Sequence, residues 1–142
     1  MTLFSINWWA VLVCVVISMA SGTLWYNPKT FFPIWWKGIG KPEMVQPGSS
    51  NMALVWALTV LSSLLQAVGL ALAVNLAGMA FGGVSVGTGV LAGALVWLFI
   101  IAPTNLTNKL FAGFPFKVWA IEAGNHLVNF LLFGALLGLW RS

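Results

Sequence analysis

Apolar positions run along the chain in four long stretches, and polar residues gather at their ends or fall singly inside them. About 20 apolar residues in helical form cross the hydrocarbon of a bilayer. The first stretch, about 7–26, carries Trp8 and Trp9 at one end and Trp25-Tyr26 at the other, the spacing of side chains that rest at headgroup depth. Asn27-Pro28 stops it. Ser49-Ser50-Asn51 offers N-cap residues for a second helix over about 51–76. From Ala67 to Ala102 there is no charge at all, too long a run for one span. Asn75, Gly78 and the pair Gly82-Gly83 are the turn candidates inside it, so the third span is set at about 80–102, ending before Pro103. A polar and aromatic connection over 103–116 leads to the fourth span, about 116–140, closed by Arg141. The pattern predicts an all-α, integral membrane four-helix bundle that fills a single transmembrane domain, 1–142.

Between the first two spans, residues 28–50 hold four prolines, three lysines and the cluster Phe31-Phe32-Pro33-Ile34-Trp35-Trp36. A water-exposed loop does not need those aromatics. The segment is expected to lie in the membrane interface with its lysines reaching to phosphates.

Composition strengthens this picture. Of 142 residues, 61% are hydrophobic and 6% charged, against about 25% charged in soluble domains. Most of the surface therefore faces lipid, and the bilayer is the first expected partner. The formal net charge of +4 comes from few residues at segment ends, which read as topology signals and headgroup contacts rather than as a nucleic-acid surface. Lys29, Lys37, Lys41, Lys109 and Lys117 fall in the two long connections, with Arg141 alone on the terminal side. The positive-inside rule then puts the connections in the cytoplasm and both termini outside. Cys14, the single cysteine, lies in an apolar run and reads as a small core residue. Ser18-Met19-Ala20 resembles a signal cleavage site, but no Lys or Arg precedes the apolar run, so the segment is expected to stay as the first helix.

Gly78-x3-Gly82, Gly89-x3-Gly93 and Gly134-x3-Gly138 have the spacing that lets helix backbones approach closely, within the bundle or across a homo-oligomer interface. An internal repeat is also visible. Val55-Trp56-Ala57-Leu58-Thr59 resembles Val118-Trp119-Ala120-Ile121-Glu122, and Ser21-Gly22-Thr23-Leu24-Trp25 resembles Gly93-Ala94-Leu95-Val96-Trp97. These matches suggest two tandem two-helix units in parallel orientation.

The polar residues inside the spans form stripes. Glu122, Asn125, His126 and Asn129 share one face of the fourth helix, and Thr59, Ser62, Ser63 and Gln66 repeat that spacing on the second. Polar groups left in lipid are costly, so both stripes are expected to face the interior. Two readings stay open. The stripes can hydrogen-bond one another and set helix register, or they can form a ligand, ion or proton path in which Glu122 and His126 share a proton. Catalysis is not expected: there is one histidine and no aspartate, and His126 with Glu122 gives only two potential metal ligands per chain. No cofactor and no metal are expected.

Asn7-Trp8-x-Ala10-Val11, Gly22-x-Leu24-Trp25-Tyr26-x-Pro28, and a Phe and a Trp before a Lys-x-x-Gly turn resemble the bacterial membrane proteins grouped as domain of unknown function 1761. The likeness continues through the glycine-containing third span to the last Gly-x3-Gly. It implies a small four-helix membrane protein of the bacterial inner membrane, with periplasmic termini by the charge rule, and transfers no site residues. Trp25-Tyr26, Pro28, Phe31-Phe32-Pro33 and Trp35-Trp36 also resemble the tryptophan-rich sensory or translocator proteins. Those are five-helix binders of porphyrins and sterols; this chain has one helix fewer and lacks their paired-proline pattern. The functional expectation is an oligomeric transporter or channel for a proton, small cation or small amphiphile. A structural or partner-binding membrane protein, or a binder of a hydrophobic ligand, is the alternative. Trp8, Trp9, Trp25, Tyr26, Trp35, Trp36, Trp56, Trp119 and Trp140 are expected at the interface.

Overall fold

The computed structural model describes residues 3–27, 29–39 and 52–140. Pro28, Lys41, Glu43, Arg141 and the expected cap Ser49-Ser50-Asn51 lie outside the described residues. Helix α1 (Trp8–Trp25) starts at Asn7, whose side chain accepts from the N–H groups of Trp9 and Ala10 at 3.1 and 3.3 Å. A short α2 (Phe32–Gly38) follows, with Pro33 in its first turn, where no helical N–H partner is needed. Then come α3 (Met52–Phe81), α4 (Val86–Val96), a π-helical turn (Trp97–Ile101), α5 (Ala102–Phe111) and α6 (Phe116–Leu139). Among the described residues, four rods are long and apolar enough to cross a membrane: Trp8–Trp25, Ala53–Phe81, Val86–Phe111 and Phe116–Leu139.

Three sequence expectations change. The second span runs on to Phe81 instead of ending near 76, because Asn75 is not a turn residue. It is fully buried, and its amide donates to the carbonyls of Leu3 and Ser5 at 2.8 and 2.9 Å. The turn falls instead at Gly82-Gly83, both at positive φ (85° and 148°), where a side chain would be strained. Ser85 and Thr88 then cap α4 reciprocally.

The third span does not stop before Pro103. A proline inside a helix removes one hydrogen bond, and its ring clashes with the carbonyl four residues back. Here the preceding turn is wound wider, with the Ala102 N–H bonded to the Trp97 carbonyl five residues back, and the rod continues to Phe111. The expected connection 103–116 shrinks to a tight turn at 112–115, with Gly113 at φ 84°.

The third change concerns the aromatic cluster, which turns inward. Phe32 and Trp36 are buried and stack at 5.1 Å, while Ile34 and Lys37 are exposed. Gly38 brings α2 so close to α6 that a Cβ there would collide with Val118.

The tightest joint is between α4 and α6. A Cβ on Gly89 would meet the Gly134 carbonyl, one on Gly134 the Gly89 carbonyl, one on Gly93 the Phe130 carbonyl, and one on Gly138 the Ser85 carbonyl. Two of the three small-residue motifs thus pack helix on helix inside the bundle. A core of Val11, Cys14, Ala67, Leu70, Val74 and Phe133 fills the space between α1, α3 and α6.

The start of α1 and the end of α6 meet, with Asn7 Nδ2 donating to the Trp140 carbonyl at 3.2 Å. At the other end α1, α2, α5 and α6 converge. Trp25 and Trp97, matched in the sequence repeat, both donate indole N–H groups to α6 carbonyls, those of Ile121 (2.7 Å) and Ala123 (2.8 Å). Trp56 and Trp119 do not correspond in the same way: Trp56 is exposed, whereas Trp119 donates to the Ala102 carbonyl at 2.9 Å.

Helix α3 departs from the bundle at that converging end. Its 30 residues extend about 45 Å, against about 30 Å of hydrocarbon. It packs on α1, α4 and α6 rather than on α5. Every side chain from Ala53 to Ser62 is exposed except the half-buried Val55.

Candidate functional site

Polar residues of four helices meet in two places. At the converging end, Glu122 is held from both sides: Lys109 Nζ of α5 lies 3.1 Å from Oε1, and Trp35 Nε1 of α2 donates to Oε2 at 2.9 Å. Tyr26 packs edge-on against Trp35 at 5.1 Å, and Lys109 sits 5.3 Å above the Phe114 ring. Both charged groups are mostly shielded, with side-chain exposures of 23% for Lys109 and 15% for Glu122. An ion pair and an indole donor compensate a carboxylate in such a place. The arrangement ties α2, α5 and α6 together.

The second place lies one turn further along α6. His126 lines an open cleft of about 260 Å³ together with Gln66 of α3, Ile100 and Ile101 of the π turn, and Thr104, Asn105 and Asn108 of α5. The cleft lies between α3 and α5, which do not pack on one another as α3 does on α1, α4 and α6. Gln66 is at the middle of its rod, and the π turn is at the middle of Val86–Phe111. Among the described residues, His126 Nδ1 and Asn105 Nδ2 are buried without a hydrogen-bond partner, and so is Asn129 Oδ1. An unpartnered buried polar atom costs about 1–3 kcal/mol. The residues that carry two of these atoms, His126 and Asn105, also line the cleft, so polar groups with unmet hydrogen-bonding capacity lie beside it.

The remaining stripe residues separate into distinct roles. Ser63 and Ser18 share a buried hydrogen bond of 2.6 Å, and Asn125 Nδ2 donates to Ser21 Oγ at 2.9 Å, so both pin α1 in place. Thr59 and Ser62 are exposed, contrary to the expectation that the whole stripe faces inward. Thr59 escapes the penalty by donating to the Val55 carbonyl of its own helix at 2.7 Å. Of the expected Glu122–His126 pair, Glu122 is engaged by Lys109 and Trp35 at its two oxygens, and His126, one turn on, lines the cleft.

Among the aromatics, Trp8, Trp9, Trp56 and Trp140 are exposed near helix ends, as side chains at headgroup depth are. Trp25, Tyr26, Trp35 and Trp119 are half-buried against protein, and Trp36 is 5% exposed. Sequence reasoning missed Lys109, Thr104, Asn105 and Asn108, because Pro103 was read as a stop and the residues after it as loop. Their helical spacing of one, three and four residues was the available signal.

A family model described as a protein of unknown function (DUF1761) matches residues 9–138. The chain belongs to the DUF1761 family. That match spans all four rods, the Glu122 junction and the cleft. No curated protein and no solved structure matches this DUF1761 chain.

Proposed function

We propose that this DUF1761 protein is a multi-pass protein of the bacterial inner membrane, of transporter type, that binds a small amphiphile in the cleft between α3, the π turn with α5, and α6. It acts by binding rather than by catalysis. The observation that carries the reading is the cleft at the middle of the rods, lined by His126 and Asn105, each of which also carries a buried nitrogen without a hydrogen-bond partner. Discontinuous helix geometry lining a midplane cavity is where transporters hold their cargo, and π turns recur at functional sites. The lining offers amide and hydroxyl donors beside Ile100 and Ile101, with no carboxylate, which suits a compact hydrogen-bond-accepting head on a short apolar tail. A cation finds less there, since Glu122, the carboxylate one turn away on α6, is already paired with Lys109.

Proteoliposome uptake tests this with octanoate, octylamine, sodium and protons as probes. Octanoate uptake above protein-free vesicles, lost in His126→Leu and Asn105→Leu but kept in Thr59→Val, supports the proposal. Flux of none of the four probes, together with no quenching of tryptophan fluorescence by octanoate, refutes it and leaves the stripes as bundle-fixing contacts.

A further inference from the structure

The cleft is not isolated from the polar positions on either side of it. On α3, Thr59, Ser62, Ser63 and Gln66 follow a spacing of zero, three, four and seven. On the π turn and α5, Ile101, Thr104, Asn105 and Asn108 follow the same spacing, and all four line the cleft. At 3.6 residues per turn, Thr59 and Ser62 lie on the Gln66 face of α3, while the exposed Ala57 and Leu61 lie on the far side. Ser63 touches α1 through the Ser18 hydroxyl. Beyond it, toward Ala53, α3 is exposed nearly all round, and Thr104 and Asn108 of α5 are exposed opposite. The gap lined by Gln66 of α3 and by Thr104 and Asn108 of α5 is thus continued on α3 by the exposed Thr59 and Ser62, toward the end bearing Lys37, Lys109 and Lys117.

We infer that this gap is an aqueous vestibule, open at the lysine-bearing end and closed at His126, through which a small solute reaches the cleft from water. The proposal deepens the binding reading and rests on it for what occupies the cleft, but the route itself stands on the geometry of α3 and α5. Hydrocarbon in the gap would face amides and hydroxyls on both walls without hydrogen-bonding them, which disfavours lipid as the filling. Water satisfies Thr104, Asn108, Ser62 and Gln66 together. The closed end is sealed toward the termini by the direct backbone contact of α4 with α6 at Gly89 and Gly134 and by the α1–α3 core.

The test is thiol accessibility in the full chain, reconstituted in sealed vesicles. Buried Cys14 is replaced by alanine, and single cysteines are placed at Ser62 and Thr104, with Ala57→Cys and Leu61→Cys as controls on the far side of α3. Lys117→Cys marks the vestibule side and Phe4→Cys the terminal side. The probe is a charged, membrane-impermeant methanethiosulfonate, which reacts with the thiolate and so requires water at the sulfur. Ser62→Cys and Thr104→Cys are expected to react about 10-fold faster or more than the two controls, from the side that labels Lys117→Cys. Reaction no faster than at Ala57→Cys and Leu61→Cys, or reaction from the Phe4→Cys side, overturns the vestibule. Fast labelling without octanoate binding sustains the route and refutes the ligand reading. Octanoate binding without labelling does the reverse.

Discussion

Replacing Gly134 by alanine adds one methyl at the tightest point between α4 and α6. That methyl would be directed at the Gly89 carbonyl, with the Gly89 carbonyl carbon and the Val90 nitrogen close behind. All three are backbone atoms of a helix, so no side chain can swing aside. The axes must part, and a gap of about 0.5–1 Å forfeits roughly a quarter to a half of each dispersion contact along the joint. Overpacking of this kind costs about 1–3 kcal/mol, and rigid partners place it at the upper end. Against that stands a gain of about 1 kcal/mol in helix propensity for Gly→Ala. The net expectation is a loss of about 2 kcal/mol. Gly69→Ala supplies the reference: it lies on the exposed side of α3 with nothing within 4 Å of the added Cβ, so only the propensity gain applies. Reversible unfolding in mixed micelles, followed by far-UV circular dichroism, should separate the two variants by about 3 kcal/mol. Gly89→Ala combined with Gly134→Ala should cost less than the sum, since helices already parted accommodate the second methyl. Gly134→Ala as stable as Gly69→Ala would refute the backbone-to-backbone joint.

Three further outcomes follow from individual contacts. Ser18→Ala and Ser63→Ala each strand one buried hydroxyl of the 2.6 Å pair, so the double variant should cost less than the two singles summed, by about 0.5–3 kcal/mol in a double-mutant cycle. Trp97→Phe removes the donor to the Ala123 carbonyl together with part of a ring packed on the core; a loss of about 1–3 kcal/mol is expected, whereas Trp56→Phe, at an exposed site, should unfold like the parent. Glu122→Gln leaves the mostly shielded Lys109 without its counter-charge and should destabilise by about 1–3 kcal/mol. Its companion Glu122→Gln/Lys109→Met should recover much of that loss, and equal stability of the single variant and the parent would remove the ion pair from the account.

The existence and number of the membrane-length helices were legible in the sequence, because hydropathy over about 20 residues is a local property. So were the start of α1 at Asn7, the burial of Cys14, the glycine approach motifs and the alignment of Glu122, Asn125, His126 and Asn129 on one face. Local signals misled where a distant group decided the outcome. Asn75 looks like a turn residue until the Leu3 and Ser5 carbonyls arrive from the chain's other end to satisfy its amide. Pro103 looks like a terminus until the π turn absorbs its ring, and that continuation converts Thr104, Asn105 and Asn108 from loop into the wall of the cleft. The candidate site was thus half readable: His126 and Gln66 came from periodicity, while their α5 partners, and the choice of Lys109 and Trp35 over His126 as neighbours of Glu122, came from packing. Spacing along a helix assigns a residue to a face. Which helix meets that face, and where a long helix tilts away to leave a gap, depends on contacts between segments far apart in the chain, and no local window of sequence contains them.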